Sequence, residues 1–588
     1  MEARILLPPN REGDDIRSIF INQLIKTALD EFRSQDKNPL RELQAKNHDG
    51  QPPSPHKSLV SFIDSPTMNV DSLRQILKEL GTTTIQVEDK TVLIDNRPTE
   101  LSFVRATGAE ATNSNDDMTN SLWIRDQAFI AAALLEEGDY LNDKETTRQG
   151  KKLLLSLLDL MTLPSQIERF DDIISRRGIA SPEEHPLIKF DMQRTTDGIA
   201  LDLQTDWNHN QDAWQILAYY AVNALENGFI PREDILPYRE FFERIPNFFY
   251  AVDYLNRPSK GSWEEICAKG RFSTIVWEWS LLFHLHKNRV IFGFTDESSN
   301  LMRQMIQKGA QAIVRRFPDE STELHTKDDP AYRKEDAALL YVGLTKTPEL
   351  LLEMEKEGFD PVDFSVNPII KKNIEEGMSL VDATYVAMFE TISHLKDPIT
   401  KGMARYKGDS YQASCFWLDS CWNTLASENG LWLDPRYKDD NGIINFVGRE
   451  ILVNILNREM HGSGYETAIA GWMHPNLQAA SIAFNRVAQT SNPVAQQWFW
   501  DKGLEFFKDA LSMITNENAW TIRPGITGME LYNLPPGIAP ECIVTNILQN
   551  GEKVIHYGPW GPLFWTAACL RKTMVDFQRA ETKLNELN

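Results

Sequence analysis

The chain has 588 residues, of which 42% are hydrophobic and 25% charged, and this composition excludes a wholly disordered, collagen-like or coiled-coil protein. Acidic residues outnumber basic ones by 84 to 61, which gives a formal net charge of −23. Such a charge repels phosphate backbones and anionic lipids, so nucleic acids and membrane surfaces are poor candidate partners, whereas an uncharged ligand is unaffected.

The first part of the chain predicts a small α+β appendage at 1–105. A stripe of apolar residues predicts a helix over 14–32, a proline-rich loop follows at 37–64, and a second helix runs through Leu73 and Leu80 to Gly81. Two β-like runs, 83–87 and 91–94, predict a hairpin.

The cellular location is predicted from the start of the chain and from its cysteines. The first residues lack the apolar run of a secretory signal, and no segment reaches the ~18 apolar residues that span a bilayer. Five cysteines without a CxxC spacing predict neither a disulfide framework nor a zinc ribbon. We expect a cytoplasmic protein, with export independent of a signal peptide left open.

From Leu122 onward, one helical pattern follows another, beginning at Trp123. Further segments with helical spacing lie at 151–161, 211–226, 240–255, 272–286, 297–315, 378–394, 411–426, 444–457, 474–488, 494–514 and 561–580. No convincing central strand separates these twelve or so helices, which argues against a parallel α/β fold. The pattern predicts an all-α core, an (α/α)6 barrel over 106–588; an α-solenoid is disfavoured because no 34–47-residue repeat is found.

Several signatures of cofactor chemistry are missing. The sequence has no Walker A loop, no GxSxG, no HExxH and no GxGxxG between a strand and a helix, and its eleven histidines show no metal-ligand spacing. We therefore predict no cofactor and no metal site. The remaining candidates are carboxylates that work as acids and bases.

The segment Trp263-Glu264-Glu265 is the most informative one for such chemistry. One of two adjacent carboxyls can lie against the tryptophan ring, where desolvation raises its pKa and keeps it protonated as a general acid. Its neighbour can stay charged and bind hydroxyl groups. The alternative is structural, because two glutamates before a helix also stabilise the positive end of its dipole.

Five short blocks follow one another along the chain. They are Leu122–Asp126 (W-x-R-D), Asn210–Ala213 (Q-x-D), Trp263–Glu265 (W-E-E), Ala404–Asp409 (R-Y-x-x-D), and Ala539–Glu541 (P-E-Q) followed by Gly561–Thr566 (L-x-W-T). In these blocks and their order the chain resembles glycoside hydrolase family 15, a family of inverting glucoamylases that also includes the barrel of the phosphorylase kinase α and β subunits.

The resemblance implies the roles of the site residues. Glu264 would be the general acid and Glu541 the general base, while Arg125, Asp126 and Arg405 would hold the terminal sugar. The other implied substrate-binding residues are Trp123, Gln211, Asp212, Trp263, Glu265, Tyr406 and Asp409. The chain departs from the family where Cys542 replaces a glutamine and where Glu541 precedes Trp565 by 24 residues, so Glu552 and Glu530 are alternative bases.

The activity that the resemblance implies is exo-hydrolysis of α-glucosidic bonds with inversion. The substrates would be glycogen, starch or maltooligosaccharides, with no obligate protein partner. Two alternatives stay open. One is a non-catalytic, carbohydrate-binding or regulatory barrel similar to the phosphorylase kinase subunits, and the other is a trehalase or dextran-type α-glucosidase.

Overall fold

The computed structural model describes residues 54–94, 97–105, 121–180, 184–195, 198–204, 212–259, 263, 268–321, 333–406, 409, 468–525, 528–547, 553–558 and 563–587. Its helices are α1 Val60–Ile63, α2 Val70–Glu79, α3 Ile124–Tyr140, α4 Lys144–Met161, α5 Pro164–Ser175, α6 Asp212–Glu226, α7 Arg232–Ile235, α8 Arg239–Ala251, α9 Phe272–Lys287, α10 Arg289–Phe292, α11 Asp296–Arg316, α12 Tyr341–Leu344, α13 Thr347–Lys356, α14 Pro368–Glu375, α15 Leu380–Ser393, α16 Met473–Gln489, α17 Pro493–Ser512 and α18 Phe564–Leu587. Short 3-10 turns lie at Lys57–Leu59, Leu236–Tyr238, Ala337–Leu340 and Phe364–Val366.

The strands are β1 Glu88–Ile94, β2 Arg97–Phe103, β3 Ser121–Trp123, β4 Lys189–Thr195, β5 Gly198–Gln204, β6 Pro258–Ser259, β7 Ala268–Lys269, β8 Ala468–Trp472, β9 Trp520–Gly525, β10 Gly528–Asn533, β11 Cys542–Ile547 and β12 Lys553–Tyr557. No helix in the described parts of the chain is both long and apolar enough to cross a membrane.

Six helical segments form a closed inner ring. Each of α3, α6, α9, α12 with its preceding 3-10 turn, α16 and α18 packs on the next, and α18 returns to α3. An outer helix covers each of them, in the order α4, α8, α11, α15, α17 and α2. The fold is therefore an (α/α)6 barrel, as the sequence predicts.

The inner helices are buried on most sides because they contact both the barrel axis and the outer layer. In α9 every residue from Phe272 to His286 is buried. Trp277 and Trp279 belong to this core. On the axis, aromatic rings form a layer across the barrel: Phe129 stacks on Trp565 at 5.1 Å, and Trp277 lies 5.2 Å from Tyr341.

The connections between helices contain strands that the sequence did not indicate, but none of the described strands is central to the barrel. Two five-stranded sheets, β2-β1-β5-β4-β3 and β10-β9-β12-β11-β8, are formed by segments that lead into α3, α6, α16 and α18. Both sheets lie in connections between helices, so the barrel closes around helices alone. Their strands were missed although Lys189–Gln193 alternates polar and apolar residues, because this alternation covers only five residues.

Most predicted helices are confirmed within a few residues, including those at 211–226, 272–286 and 474–488. The N-terminal hairpin exists, but its strands are β1 and β2 rather than 83–87 and 91–94. The predicted loop at 37–64 contains helical turns at 57–63. Because β1 also pairs with β5, one sheet joins residues on both sides of position 105. The helices predicted at 14–32, 411–426 and 444–457 lie outside the described residues.

Candidate active site

The described parts of the five sequence blocks lie at one end of the barrel, where the inner helices begin. Trp123 is the residue before α3, Asp212 is the first residue of α6, and Trp565 is the second residue of α18. Trp263 precedes α9. This shared position follows from the ring, since every inner helix starts at the same end.

Arg125 is the centre of one buried cluster. Its guanidinium lies 3.5 Å from an Asp126 carboxylate oxygen and 3.8 Å from Asp212, which is fully buried. The guanidinium carbon also lies 5.5 Å from the centre of the Trp565 ring. Three predicted binding residues from two blocks are thus in contact. A buried, oriented guanidinium of this kind is suited to hold sugar hydroxyls or a carboxylate.

Arg405 is the centre of a second cluster. Its Nε and one terminal nitrogen donate to the Asp409 carboxylate at 3.0 and 2.8 Å, and the indole Nε1 of Trp472 donates to the same carboxylate at 2.8 Å. The guanidinium carbon lies 4.7 Å from the Trp472 ring and 6.0 Å from the Trp263 ring. Asp409 therefore positions Arg405 between two tryptophans.

Asp336, which sequence reasoning missed, positions Trp263. Its carboxylate accepts hydrogen bonds from the Trp263 indole at 2.6 Å and from the Ala338 amide at 2.8 Å. Burial raises the pKa of Asp336, although Arg333 opposes that change. Arg333 in turn lies 3.6 Å from the centre of the buried Tyr406 ring. The predicted residue Tyr406 thus packs beneath the site.

His474 is a second residue that sequence reasoning missed, and it joins the two clusters. Its ring lies 4.4 Å from the Trp565 ring, 5.6 Å from Trp472 and 6.1 Å from Trp263. Neither ring nitrogen hydrogen-bonds to a described residue. Burial, with the positive charges of Arg125 and Arg405, lowers the pKa of His474 to about 3. The imidazole is therefore neutral at ordinary pH.

A signal for His474 was present in the sequence. Trp123 and Trp472 each end a strand and begin an inner helix with similar extended backbone angles. Arg125 and His474 are both the second residue after that tryptophan. The pattern Trp-x-Arg therefore recurs as Trp-x-His at an equivalent place in the fold.

Glu541 immediately precedes β11 and is buried. Its carbonyl accepts the Met473 amide at 3.4 Å, which places its backbone beside the start of α16 and next to His474. The following residue, Cys542, pairs with Trp472 across the sheet. Burial raises the pKa of the Cys542 thiol, so this side chain is protonated and a poor nucleophile.

Behind this surface, Glu278 links two segments that carry site residues. Its carboxylate accepts Arg257 Nε at 2.6 Å and Gln215 Nε2 at 3.0 Å. Arg257 directly precedes β6, the strand before Trp263. Burial raises the pKa of Glu278 to about 7 despite the arginine.

Four predicted residues, Gln211, Glu264, Glu265 and the alternative base Glu552, lie outside the described residues, and the Glu530 side chain is also outside them. Within the described parts, no group of three histidine, cysteine or acidic side chains is placed to hold a metal ion. The described site is thus made of arginines, carboxylates and aromatic rings.

The chain shares low sequence identity with known proteins. No protein-family model matches the chain. The uncharacterized lipoprotein YgeQ of Escherichia coli (strain K12) is 26% identical over 164 residues, which cover 26% of this chain and 59% of that protein.

Solved structures that are similar include a wild-type glycosidase (TM-score 0.43, 12% identity, 81% of this chain and 92% of that one) and the glucoamylase of Hormoconis resinae (TM-score 0.41, 14% identity, 87% and 73%). The glucoamylase of Saccharomycopsis fibuligera is also similar (TM-score 0.38, 11% identity, 82% and 89%). At these scores the likeness does not by itself assign an activity to this chain.

Proposed function

We propose that this protein is an inverting glycoside hydrolase that releases β-glucose from the non-reducing ends of α-glucans. The observation that carries the proposal is the convergence of Arg125, Asp212, Arg405 and Trp263, from four separate blocks, around His474. The family resemblance supplies the roles of these residues. Aromatic rings stack on the C–H faces of sugars, while carboxylates and guanidinium groups bind hydroxyls.

The aromatic layer supports exo action. Trp565 contacts Arg125 on one side and stacks on Phe129 on the other, so the barrel axis is filled directly behind the site. A depression closed at its floor accepts the end of a chain and excludes its middle. The terminal sugar would then be held by Arg125 and Arg405 in an orientation fixed before reaction, which lowers the entropic part of the barrier.

In the proposed mechanism Glu264 protonates the leaving oxygen and Glu541 removes a proton from the attacking water. Inversion needs the two carboxyls about 6.5–9.5 Å apart, because a water must fit between the base and the sugar. Glu541 lies at the edge of the site beside α16, a position that suits a base acting from one side. The neutral His474 supplies no imidazolium that would compete as an acid.

Purified protein incubated with maltotriose, glycogen, trehalose and isomaltose tests the proposal, with NMR of the first product distinguishing β- from α-glucose. We expect β-glucose from maltotriose. Glu264→Gln and Glu541→Gln should each lower kcat by about 10²–10⁴, since each removes a positioned proton-transfer group. Glu355→Gln, on the exposed face of α13, is the matched control.

Each outcome separates the alternatives. If Glu541→Gln keeps full activity and Glu552→Gln loses it, the assignment of the base is wrong but inversion stands. Binding of maltotriose without hydrolysis by the wild type would favour the non-catalytic barrel. Hydrolysis of trehalose or isomaltose alone would favour the other α-glucosidase class, and α-glucose as the first product would refute inversion.

A further inference from the structure

We propose that a second pocket, at the opposite end of the barrel, binds an uncharged polyhydroxylated molecule of monosaccharide size. This distal pocket has a volume of about 140 Å³ and is lined by Tyr219, Tyr220, Asn223, Lys346, Asn485 and Arg486, among others. At ~10–15 Å³ for each water-sized position, that volume holds roughly ten waters or one small ring molecule.

The aromatic layer separates the distal pocket from the candidate active site. Tyr219 and Tyr220 lie 5.0 and 5.9 Å from the Trp277 ring, on the pocket side of the layer. Phe129 lies 6.2 Å from Trp277 and stacks on Trp565, which belongs to the active-site end. The two sites therefore share a wall of rings, and a ligand in one does not touch the residues of the other.

More helices end than begin at the distal pocket, and this disfavours an anion. α3, α6 and α16 end there, and the carbonyl end of a helix carries partial negative charge, whereas α13 begins there, directly after Lys346. A phosphate or carboxylate would face three carbonyl ends and one amide end. Lys346, at the exposed mouth, has no ion-pair partner among the described residues, but one exposed ammonium is a weak anchor for a phosphate.

The charged side chains of the wall neutralise one another. Lys572 Nζ lies 2.5 Å from Glu136 and 3.3 Å from Asp576, while Arg486 pairs with Glu349 at 2.9 Å. Arg579, which also lines the pocket, lies 3.6 Å from Glu136 and 3.5 Å from Asp576. Arg486 also pairs with Asp382 at 2.8 Å. A cationic ligand thus meets acids that already have partners, and an anionic ligand meets cations that already have partners. An uncharged ligand disturbs none of these pairs.

The remaining lining groups match a polyol. The hydroxyls of Tyr219 and Tyr220 form no hydrogen bond with any described residue, and neither does the Lys346 ammonium. Asn223 and Asn485 add amide donors and acceptors. Mixed donors and acceptors next to aromatic rings suit a molecule that carries hydroxyls around an apolar ring.

The test is an NMR titration of the full chain with D-glucose and, separately, with glucose 6-phosphate. Four variants are compared with the wild type: Tyr219→Phe and Tyr219→Phe/Lys346→Met in the distal pocket, Trp263→Phe in the active site, and Tyr250→Phe as an exposed control. We expect the double variant to weaken glucose binding at this pocket at least 10-fold, with Tyr219→Phe intermediate. Melting temperatures establish that each variant is folded.

Glucose binding that persists in Trp263→Phe and Tyr250→Phe but is lost in the double variant supports the proposal. Equal binding by the double variant and the wild type overturns it. Tighter binding of glucose 6-phosphate than of glucose, lost in the double variant, overturns the uncharged ligand class. The titration measures binding and not hydrolysis. It therefore tests the distal pocket even if the protein has no glycosidase activity.

Discussion

The buried imidazole of His474 predicts that acid destabilises the protein. Its pKa is lowered from the ordinary value of 6.5 to about 3, so the unfolded chain binds a proton between these values that the folded chain does not. Stability from this group is complete above pH 6.5 and is lost as the pH falls toward 3. At pH 5 the linkage relation gives a loss of about 2 kcal/mol relative to pH 7.5.

Two variants isolate this contribution. His474→Gln and His474→Phe are both uncharged at every pH, but only the second keeps an aromatic ring beside Trp565. In denaturant titrations at pH 7.5 and 5.0, each should lose about 2 kcal/mol less stability on acidification than the wild type. At pH 7.5 the two variants should differ in their free energy of unfolding, because only one of them keeps the packing of an aromatic ring. The change in that free energy with pH should be the same for both.

NMR of the histidine Cε1 protons gives an independent measurement. The resonance absent from His474→Gln identifies this residue, and we expect no titration of it between pH 8 and 5. Titration near pH 6.5, or an equal acid loss in the wild type and both variants, would refute the reasoning. It would mean that His474 is not buried between Arg125 and Arg405.

Three further predictions concern the surrounding network. Asp409→Asn removes the charge that pairs with Arg405, so we expect a loss of about 3–5 kcal/mol in unfolding free energy and a higher KM, measured by denaturation and initial rates. In the folded protein the pKa of Glu278 is about 7, above the ordinary 4.5, so the wild type should lose about 3 kcal/mol of stability as the pH rises from 4.5 to 8. Glu278→Gln should remove this loss. An unchanged pH dependence of stability in the variant would contradict the prediction. Asp336→Leu should raise KM roughly 10-fold by releasing the Trp263 indole, whereas Asp336→Asn, which keeps an acceptor oxygen, should retain most of the affinity.

The helices could be predicted from the sequence because each inner helix is packed on all sides. Burial of α9 from Phe272 to His286 leaves a continuous apolar segment that periodicity detects easily. The start of α6 was likewise found within one residue. β3 and β8 were missed because they are only three and five residues long. Pairing between distant segments, such as β1 with β5, leaves no local signal.

The site was predictable only where sequence blocks carry it. Arg125, Asp212 and Arg405 were predicted, and the structure places them in buried clusters. Asp336 was missed because it contacts Trp263 across 73 positions, and nothing around it in the sequence indicates that contact. A buried carboxylate that fixes an indole is defined by tertiary packing alone.

The two sheets show why the site is asymmetric. In the first sheet, β3 leads into α3 and pairs with the hairpin β4–β5, and β5 runs parallel to β1 of a second hairpin. In the second sheet, β8 leads into α16 and pairs with the hairpin β11–β12, and β12 runs parallel to β9 of a second hairpin. The amide that starts α3 donates to Ile188 at 3.0 Å, and the amide that starts α16 donates to Glu541 at 3.4 Å. One backbone arrangement therefore occurs twice with different side chains.

This repetition gives the proposed base its environment. In the first copy, the tryptophan at the strand end is followed by Arg125, and the residue that accepts the helix amide is the apolar Ile188. In the second copy, the equivalent positions are the neutral His474 and the carboxylate Glu541. A cation at His474 would repel Arg125 and Arg405, and the lowered pKa of His474 keeps the imidazole neutral and avoids that repulsion. The second copy therefore has a neutral ring and a carboxylate where the first has a cation and an apolar side chain.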